Sequence, residues 1–257
     1  MLTILEAILL GIIQGITEWL PVSSSGHLLL IQHVLGLEVP YAYDLLLHVG
    51  TMLVIILVFW KDLYTIMIDF LTGKLNSYHG RMGMLILIGL IPGVLIGLML
   101  YFVARSYFGN LIFLAICFLL MGVFLIFSRK KAYKLHLTMR ESVVMGVAQG
   151  IAYLPGISRS GSMLGTSQYL GVKKQEALLF TFAIAIPAIT GAMLFDLNAL
   201  QQSGIGIPAM LAGFAAAVIT GYLSLRLLIK IFIGEALHYF GYYLLAVAVL
   251  TFALAIA

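Results

Sequence analysis

Two short serine-rich motifs contain the residues of this sequence that are best suited to chemistry. The first is Ser23-Ser24-Ser25-Gly26-His27 and the second is Ser158-Arg159-Ser160-Gly161-Ser162. Serines that precede a helix cap its first turn, and glycine lets a ligand approach the backbone closely. Each motif therefore offers free N–H groups at the positive end of a helix dipole, which is a typical anion site. Arg159 adds a planar guanidinium that can contact two phosphate oxygens at once.

A carboxylate and an amide lie just before the first motif. Gln14 and Glu18 are four residues apart, so a helix presents them on one face, directed toward the motif. Glu18 is the natural ligand for a divalent cation, or a base. A hard cation needs only one or two carboxylates when substrate phosphates supply further oxygens. We therefore expect a divalent cation, Mg²⁺ or Ca²⁺, on Glu18; the alternative is that Glu18 is only the counter-ion of Arg159.

The first motif also supplies a nucleophile and an acid–base group. Ser24 is the candidate nucleophile, and Ser23 and Ser25 are expected to cap the helix or to contact phosphate. His27 is suited to take the proton of a serine hydroxyl or to protonate the leaving phosphate. We expect Glu18, Ser24, His27 and Arg159 to be catalytic. The expected substrate contacts are Gln14, Ser23, Ser25, Gly26, Ser158, Ser160, Gly161 and Ser162.

Two alternatives remain open for the polar residues. The serines could merely cap helices while Arg159 pairs with Glu18. Asp44, His48 and Thr51 share one helical face, and they either line the same cavity or join neighbouring helices.

The composition requires a membrane to position these residues. The 257 residues are 63% hydrophobic and only 9% charged, whereas about a quarter of the residues of a soluble domain are charged. Side chains this apolar must face lipid or each other inside a bilayer, which excludes a water-soluble enzyme. The net charge of +4 indicates loops that face anionic lipid rather than a nucleic-acid partner. The sequence thus predicts an all-α polytopic membrane protein.

Six apolar stretches are long enough to cross the hydrocarbon core as helices, for which about 20 residues are needed. They are residues 44–60, 84–102, 111–127, 176–195, 207–225 and 236–257. Two other regions have arms that are too short or interrupted by the serine motifs. We expect residues 2–20 with 28–37, and residues 143–154 with 163–170, to form two re-entrant helix hairpins with polar tips at membrane depth.

The two hairpin regions repeat each other. In both copies the last glycine of the motif follows the glutamine by 12 residues, Gly26 after Gln14 and Gly161 after Gln149. Each hairpin is followed by three spans, and an odd number of spans inverts the second copy. The sequence therefore predicts one membrane domain over residues 1–257 that contains inverted repeats of about 1–128 and 140–257. The two tips would enter from opposite faces and share one cavity.

The basic residues indicate an orientation. Twelve of the 14 Lys and Arg residues fall on one side if the first hairpin opens outward, and that side is then cytoplasmic. Arg105 falls outside and Arg159 lies at a hairpin tip. The amino terminus is accordingly expected outside, in a multi-pass protein of the plasma membrane.

The motifs resemble those of the undecaprenyl-diphosphate phosphatase family, also called bacitracin-resistance proteins. The similarity is carried by Gln14-Gly-Ile-Thr-Glu18, by Leu20-Pro-Val-Ser-Ser-Ser-Gly-His27 and by Pro155-Gly-Ile-Ser-Arg-Ser-Gly161, with weaker echoes in His48-Val-Gly-Thr51 and Phe180-Thr-Phe-Ala-Ile-Ala-Ile-Pro187. One position departs from the family, because Met163 stands where the second motif normally ends in threonine. Ser162 is the candidate to replace that hydroxyl.

The resemblance implies a metal-dependent phosphatase that removes the terminal phosphate of a C55 polyprenyl diphosphate, with an active site that opens to the outer face. By the same likeness, Gln14 and Glu18 match the family's Glu/Gln-x-x-x-Glu motif, and Ser24, His27 and Arg159 match its catalytic positions. Such an enzyme recycles the lipid carrier for cell-envelope glycan synthesis.

The expected partners are this lipid substrate and membrane lipid, and a homodimer is compatible with the sequence. A second hypothesis is a secondary transporter or lipid flippase with an anion site at the midplane, because inverted repeats with broken helices are also a transporter design.

Overall fold

A computed structural model of the chain describes residues 2–128, 136–201 and 204–257. The described residues form eleven α-helices and one short 3-10 helix at Arg105–Tyr107, and they contain no strand. The helices are α1 Ile4–Trp19, α2 Ser24–Leu35, α3 Tyr41–Val58, α4 Trp60–Leu71, α5 Tyr78–Ala104, α6 Leu111–Phe127, α7 Met139–Ile151, α8 Arg159–Leu170, α9 Lys174–Gln201, α10 Ile207–Ile233 and α11 Tyr239–Ile256. The all-α prediction is confirmed.

Several helices have the length and composition of membrane spans. Within the described residues, α3, α10, α11 and the segment Tyr78–Tyr107 each contain an apolar window long enough to cross a membrane. The apolar helix α6 is slightly shorter, with 17 residues. Apolar side chains such as Ile91, Phe102 and Val249 are exposed on these helices, as expected of surfaces that face lipid. The chain is a multi-pass membrane protein.

The boundaries of the predicted spans need corrections. The span predicted over 44–60 is α3, which ends at Val58. Trp60 begins α4, a 12-residue helix that sequence analysis did not predict and that packs against α5. The spans predicted over 84–102, 176–195 and 207–225 each belong to a longer helix, because polar first or last turns extend α5, α9 and α10. The four basic residues expected between 129 and 134 lie outside the described residues.

Two pairs of short helices correspond to the expected hairpins. The first pair is α1 and α2, and the second is α7 and α8. Thr3 and Thr138 begin the first helix of each pair with a capping box, which satisfies N–H groups that would otherwise be unpaired. Each second helix starts at a serine motif and ends at a glycine with positive φ, Gly36 or Gly171. A 16-residue helix is about 24 Å long, which is less than the hydrocarbon core of about 30 Å.

Glycines allow the helices of each pair to pack closely on a longer helix. A Cβ added at Gly11 in α1 would collide with the carbonyl of Gly213 in α10, and one added at Gly146 in α7 would collide with the carbonyl of Gly89 in α5. The longer helices α6 and α11 also meet at glycines. A Cβ on Gly122 would lie 2.9 Å from the carbonyl oxygen of Gly241. These close crossings fix α1 and α7 in place and thereby position the two serine motifs.

Candidate active site

The two serine motifs meet in the structure. Ser23 Oγ accepts the N–H of Gly156 at 3.0 Å, and Ser160 Oγ donates to the carbonyl of Leu20 at 3.3 Å. A Cβ added at Gly26 would lie 2.9 Å from the Gly156 nitrogen, and glycine is therefore required for this approach. The first turns of α2 and α8 consequently start side by side.

Ser23 has an unusual backbone at this junction. Its φ is +70°, a conformation that non-glycine residues adopt at a cost of about 1–3 kcal/mol. Its hydroxyl accepts the Gly26 N–H at 3.4 Å, in addition to the Gly156 N–H. These two bonds hold Ser23 in place and connect the two tips.

Glu18 and Arg159 face each other across the tips. Nη2 of Arg159 lies 3.8 Å from Oε1 of Glu18, with the side chains 27% and 4% exposed respectively. Nη1 of Arg159 is buried and has no hydrogen-bond partner among the described residues. A buried donor without a partner is costly, so this guanidinium is only partly satisfied by Glu18. It retains a donor for an anionic ligand.

The other carboxylate oxygen of Glu18 is the centre of a polar cluster. Oε2 accepts the Ser24 hydroxyl at 2.6 Å and the Gln14 amide at 2.9 Å. His48 approaches the same oxygen, with Nε2 at 3.3 Å. Ser24 therefore bonds to Glu18, and the Ser24–His27 hydrogen bond expected from the sequence is not formed.

His27 is held by two other groups. Nδ1 lies 2.8 Å from the carbonyl oxygen of Ser23, and Nε2 lies 2.8 Å from the hydroxyl of Tyr243 in α11. The rings of His27 and Tyr243 are stacked with centroids 5.8 Å apart, and Phe118 packs edge-on at 5.3 Å. Because the Ser23 carbonyl can only accept, Nδ1 carries a proton and a neutral His27 accepts from Tyr243 through Nε2.

The remaining predicted substrate contacts surround the tips. Ser25 Oγ is 3.4 Å from Ser23 Oγ. Ser158 caps α8 through the Gly161 N–H at 3.1 Å and also contacts Ser160 at 3.1 Å.

Ser162, the candidate to replace the family's threonine hydroxyl, points toward α6 in the structure. Ser162 donates to the sulfur of Met121 in α6 at 3.6 Å. Met163, which occupies the threonine position, is fully buried.

The polar face of α3 has two different roles. His48 reaches Glu18 and therefore belongs to the cluster. Asp44 accepts the Gln32 amide of α2 at 3.0 Å, so it joins two helices. Thr51 donates to the carbonyl of His48 at 2.9 Å and is satisfied within its own helix. His48 and Tyr243 are the site residues that sequence analysis did not assign; the i, i+4 spacing from Asp44 signalled His48, whereas no motif signalled Tyr243.

The donor set fits a cation that also binds phosphate. No group of three His, Cys, Asp or Glu side chains within the described ranges forms a preformed metal cage. Glu18 instead offers one carboxylate, and the buried Oε1 of Gln14 beside it lacks a hydrogen-bond partner among these residues. One carboxylate with a neutral oxygen is typical of sites in which substrate phosphates complete the coordination of the ion.

Comparison with known proteins identifies the family. A family model described as Bacitracin resistance protein BacA matches residues 7–250. The chain belongs to this family. Its Gln14–Glu18 segment and both serine motifs lie inside the matched region.

Similar proteins extend over nearly the same length as this chain. A protein of Methanosphaera stadtmanae is 34% identical, with 100% of this chain and 99% of the relative covered. A protein of Alkaliphilus metalliredigens is 37% identical, with 94% and 95% covered, and one of Korarchaeum cryptofilum is 34% identical, with 96% and 97% covered. All three are named undecaprenyl-diphosphatase.

Proposed function

We propose that this BacA-family chain is an integral membrane phosphatase that hydrolyses undecaprenyl diphosphate to the monophosphate and inorganic phosphate. The relatives' shared name supports the activity and the substrate class. The observation that carries the proposal is the 3.8 Å approach of Arg159 to Glu18, with a guanidinium nitrogen left free for an anion. Removal of the terminal phosphate returns the lipid carrier to cell-envelope glycan synthesis.

The two helix starts bind the diphosphate in this proposal. Arg159 contacts the phosphate oxygens through Nη1, and the first-turn N–H groups of α2 and α8 add donors at the positive ends of two helix dipoles. Donors that are positioned before the reaction stabilise the developing charge of phosphoryl transfer without reorganisation. We call this group of donors, Arg159 with the first turns of α2 and α8, the cradle. The residues that flank it are Ser23, Ser25, Gly26, Ser158, Ser160, Gly161 and, through its contact with Met121, Ser162.

Ser24 acts as the nucleophile in this proposal. Its hydroxyl donates to Glu18 at 2.6 Å, which orients the oxygen lone pairs toward the cradle. Oγ bonds to the terminal phosphorus while the bond to the bridging oxygen breaks, and the polyprenyl monophosphate leaves. A loose transition state demands little of a base, so the serine proton moves to Glu18 late in this step.

We assign the second step to His27. Its Nε2 accepts a hydrogen bond from Tyr243, and it lies one helical turn from Ser24. In this step the Tyr243 hydroxyl hydrogen turns away from Nε2, and the freed lone pair takes a proton from water, whose oxygen attacks the phosphorus of the phosphoserine. The bond between phosphorus and Ser24 Oγ breaks, Glu18 returns its proton to Oγ, and phosphate is released. This assignment differs from the sequence-based one, in which His27 deprotonates Ser24.

We propose a divalent cation on Glu18, with Gln14 beside it. When bound, the cation neutralises charge on the diphosphate oxygens. Glu18 provides a carboxylate oxygen for it, and Gln14 provides an amide oxygen that is buried in the structure.

We also propose that the helices form six membrane spans and two re-entrant hairpins in an inverted repeat, with the site open to the outer face of the plasma membrane. The paired crossings support the repeat, because Gly11 and Gly15 meet Gly213 and Ala217 of α10 as Gly146 and Gly150 meet Gly89 and Gly93 of α5. Both copies thus dock their first helix on a long helix of the other half.

Phosphate release in detergent tests the function. The purified chain should release phosphate from undecaprenyl diphosphate when a divalent cation is present, and chelation should abolish the release reversibly. No transmembrane gradient exists in detergent, so turnover there requires an enzyme. Binding of the lipid without phosphate release would favour the transporter or flippase hypothesis.

Arg159→Lys tests the site within the same assay. An ammonium cannot reproduce the bidentate contact of a guanidinium, so kcat/KM should fall about a hundredfold. Arg226→Lys is the matched control, because Arg226 is exposed and bonds only to Tyr222 of its own helix among the described residues. Near-normal turnover of Arg159→Lys would contradict the assigned role.

A further inference from the structure

His48 contacts Glu18 from a third helix, and the geometry of its ring is informative. Nδ1 lies 2.8 Å from the carbonyl oxygen of Asp44, one turn earlier in α3. A carbonyl oxygen only accepts, so Nδ1 carries the ring proton. In the tautomer that carries its proton on Nδ1, the lone pair of Nε2 faces Oε2 of Glu18, 3.3 Å away.

A direct hydrogen bond explains this contact poorly. Oε2 already accepts from Ser24 at 2.6 Å and from Gln14 at 2.9 Å, which uses its two lone pairs. A hydrogen bond from an imidazolium to a carboxylate is about 2.7–2.9 Å long, which is shorter than the distance observed here. Two ligand atoms about 2.1 Å from one metal ion and about 100° apart are separated by about 3.2 Å. The spacing of Nε2 and Oε2 matches that arrangement.

Gln14 provides an independent observation at the same place. Its side chain is fully buried, and its Oε1 has no hydrogen-bond partner among the described residues. Its Nε2 donates to Oε2 of Glu18 at 2.9 Å. Half a turn of the amide exchanges the oxygen and the nitrogen, which brings Oε1 toward Glu18 and frees one lone pair of Oε2 for an ion. A cation beside Glu18 would satisfy this oxygen, whereas an ion pair between His48 and Glu18 would leave it without a partner.

We propose that Nε2 of His48 joins Oε2 of Glu18 and Oε1 of Gln14 as a protein ligand of the divalent cation. This inference rests on the proposed function and specifies the ligand set of its cation. Imidazole nitrogen is a ligand of transition metals, whereas Ca²⁺ takes oxygen ligands. The imidazole therefore adds affinity for an ion such as Mn²⁺ or Zn²⁺, beyond the Mg²⁺ or Ca²⁺ expected from the sequence.

Pulsed EPR of Mn²⁺ bound to the purified full chain tests this proposal directly, because a ligating imidazole nitrogen modulates the electron spin echo. The wild-type chain should show nitrogen modulation. His48→Gln retains an oxygen donor of similar reach, so it should still bind Mn²⁺ but lose the modulation. His48→Leu should lose the modulation and bind Mn²⁺ about tenfold or more weakly.

His33→Gln is the matched control, because His33 is an exposed histidine in α2 and its replacement should change neither signal nor affinity. Thermal unfolding of each variant establishes that it is folded. The proposal is overturned by nitrogen modulation that persists in His48→Gln, by bound Mn²⁺ without modulation in the wild type, or by no bound Mn²⁺ at millimolar concentration. Phosphate release by the same wild-type preparation tests the phosphatase separately, so that activity without modulation removes only His48 from the ligand set.

Discussion

The single residue Tyr243 connects the last helix to the first serine motif through His27. Tyr243→Phe removes the hydroxyl that bonds to Nε2 at 2.8 Å and keeps the stacked ring. Loss of one such bond costs about 1 kcal/mol, so kcat should fall about five- to tenfold. KM should stay unchanged, because Tyr243 acts through His27. Steady-state phosphate release measures both constants.

The neighbouring tyrosine provides the control for this variant. Tyr242 precedes Tyr243 in α11 and is 57% exposed, so Tyr242→Phe should match the wild type. Identical kinetics of the two variants would exclude a positioning role of Tyr243.

The two copies of the serine motif are the part of the site that the sequence predicts best. The approach of Glu18 and Arg159, 141 positions apart in the chain, follows from placing both serine motifs at hairpin tips. The partners of individual side chains could not be predicted in this way. Ser24 and His27 are close in sequence, but their partners depend on rotamers and on α1, α3 and α11, whose packing no local pattern specifies.

At the scale of helices, the glycine crossings determine where the serine motifs sit. Gly11→Ala places a methyl group against the Gly213 carbonyl in α10. Both contact groups belong to rigid helices, so the strain should destabilise the protein by about 1–3 kcal/mol. We expect a lower midpoint of thermal unfolding in detergent, with reduced activity because α1 carries Glu18.

Gly97→Ala is the matched control for this crossing. Gly97 is also a helical glycine, in α5, and a Cβ added there meets no atom within 4 Å. Its replacement should leave the midpoint unchanged or raise it slightly, because alanine favours helix over glycine by about 1 kcal/mol. Equal midpoints for Gly11→Ala and the wild type would show that α1 and α10 can separate without cost.

The sequence predicts the presence of most helices better than it predicts where they begin and end. The apolar run of α6 coincides with its prediction at 111–127, since it lies between Asn110, which caps it, and the polar segment that follows. The helix α4 was missed, because Lys61, Asp62 and Asp69 interrupt its hydrophobicity. Its apolar residues Trp60 and Tyr64 nevertheless share one exposed face, a pattern typical of helices that lie along a membrane surface.

The whole molecule combines two similar halves into one asymmetric site. An offset of 135 residues aligns Gln14 with Gln149 and Gly26 with Gly161, with a shift of one residue at the prolines, Pro21 and Pro155. The second copy has Ala152 and Tyr153, and no carboxylate, where the first copy has Glu18 and Trp19, and Arg159 stands opposite Ser24. In the proposed site, one copy therefore supplies the carboxylate and the nucleophile while the other supplies the guanidinium, so that the two copies would form a single phosphate site rather than two.

The proposed inverted repeat requires the two hairpins to enter the membrane from opposite sides. Labelling of the loops at the two ends of α5 from outside the cell tests this requirement. A Cys117→Ala background removes the single cysteine, which is buried. Ser106→Cys, in the exposed segment after α5, should react with a membrane-impermeant maleimide from outside in intact spheroplasts. Asn76→Cys, in the exposed loop between α4 and α5, should react only after lysis, because Lys61, Lys74 and Arg81 predict a cytoplasmic location for that loop.

Each labelling variant is the control for the other, because α5 is the one helix between the two introduced cysteines and they should therefore react from opposite sides. Both variants should retain phosphate release, because neither position lies near the serine motifs in sequence or belongs to the site. Labelling of Asn76→Cys from outside would reverse the orientation and place the opening of the site in the cytoplasm. Labelling of both cysteines from one side would show that α5 is not a span, and would thereby contradict the proposed inversion of the second hairpin.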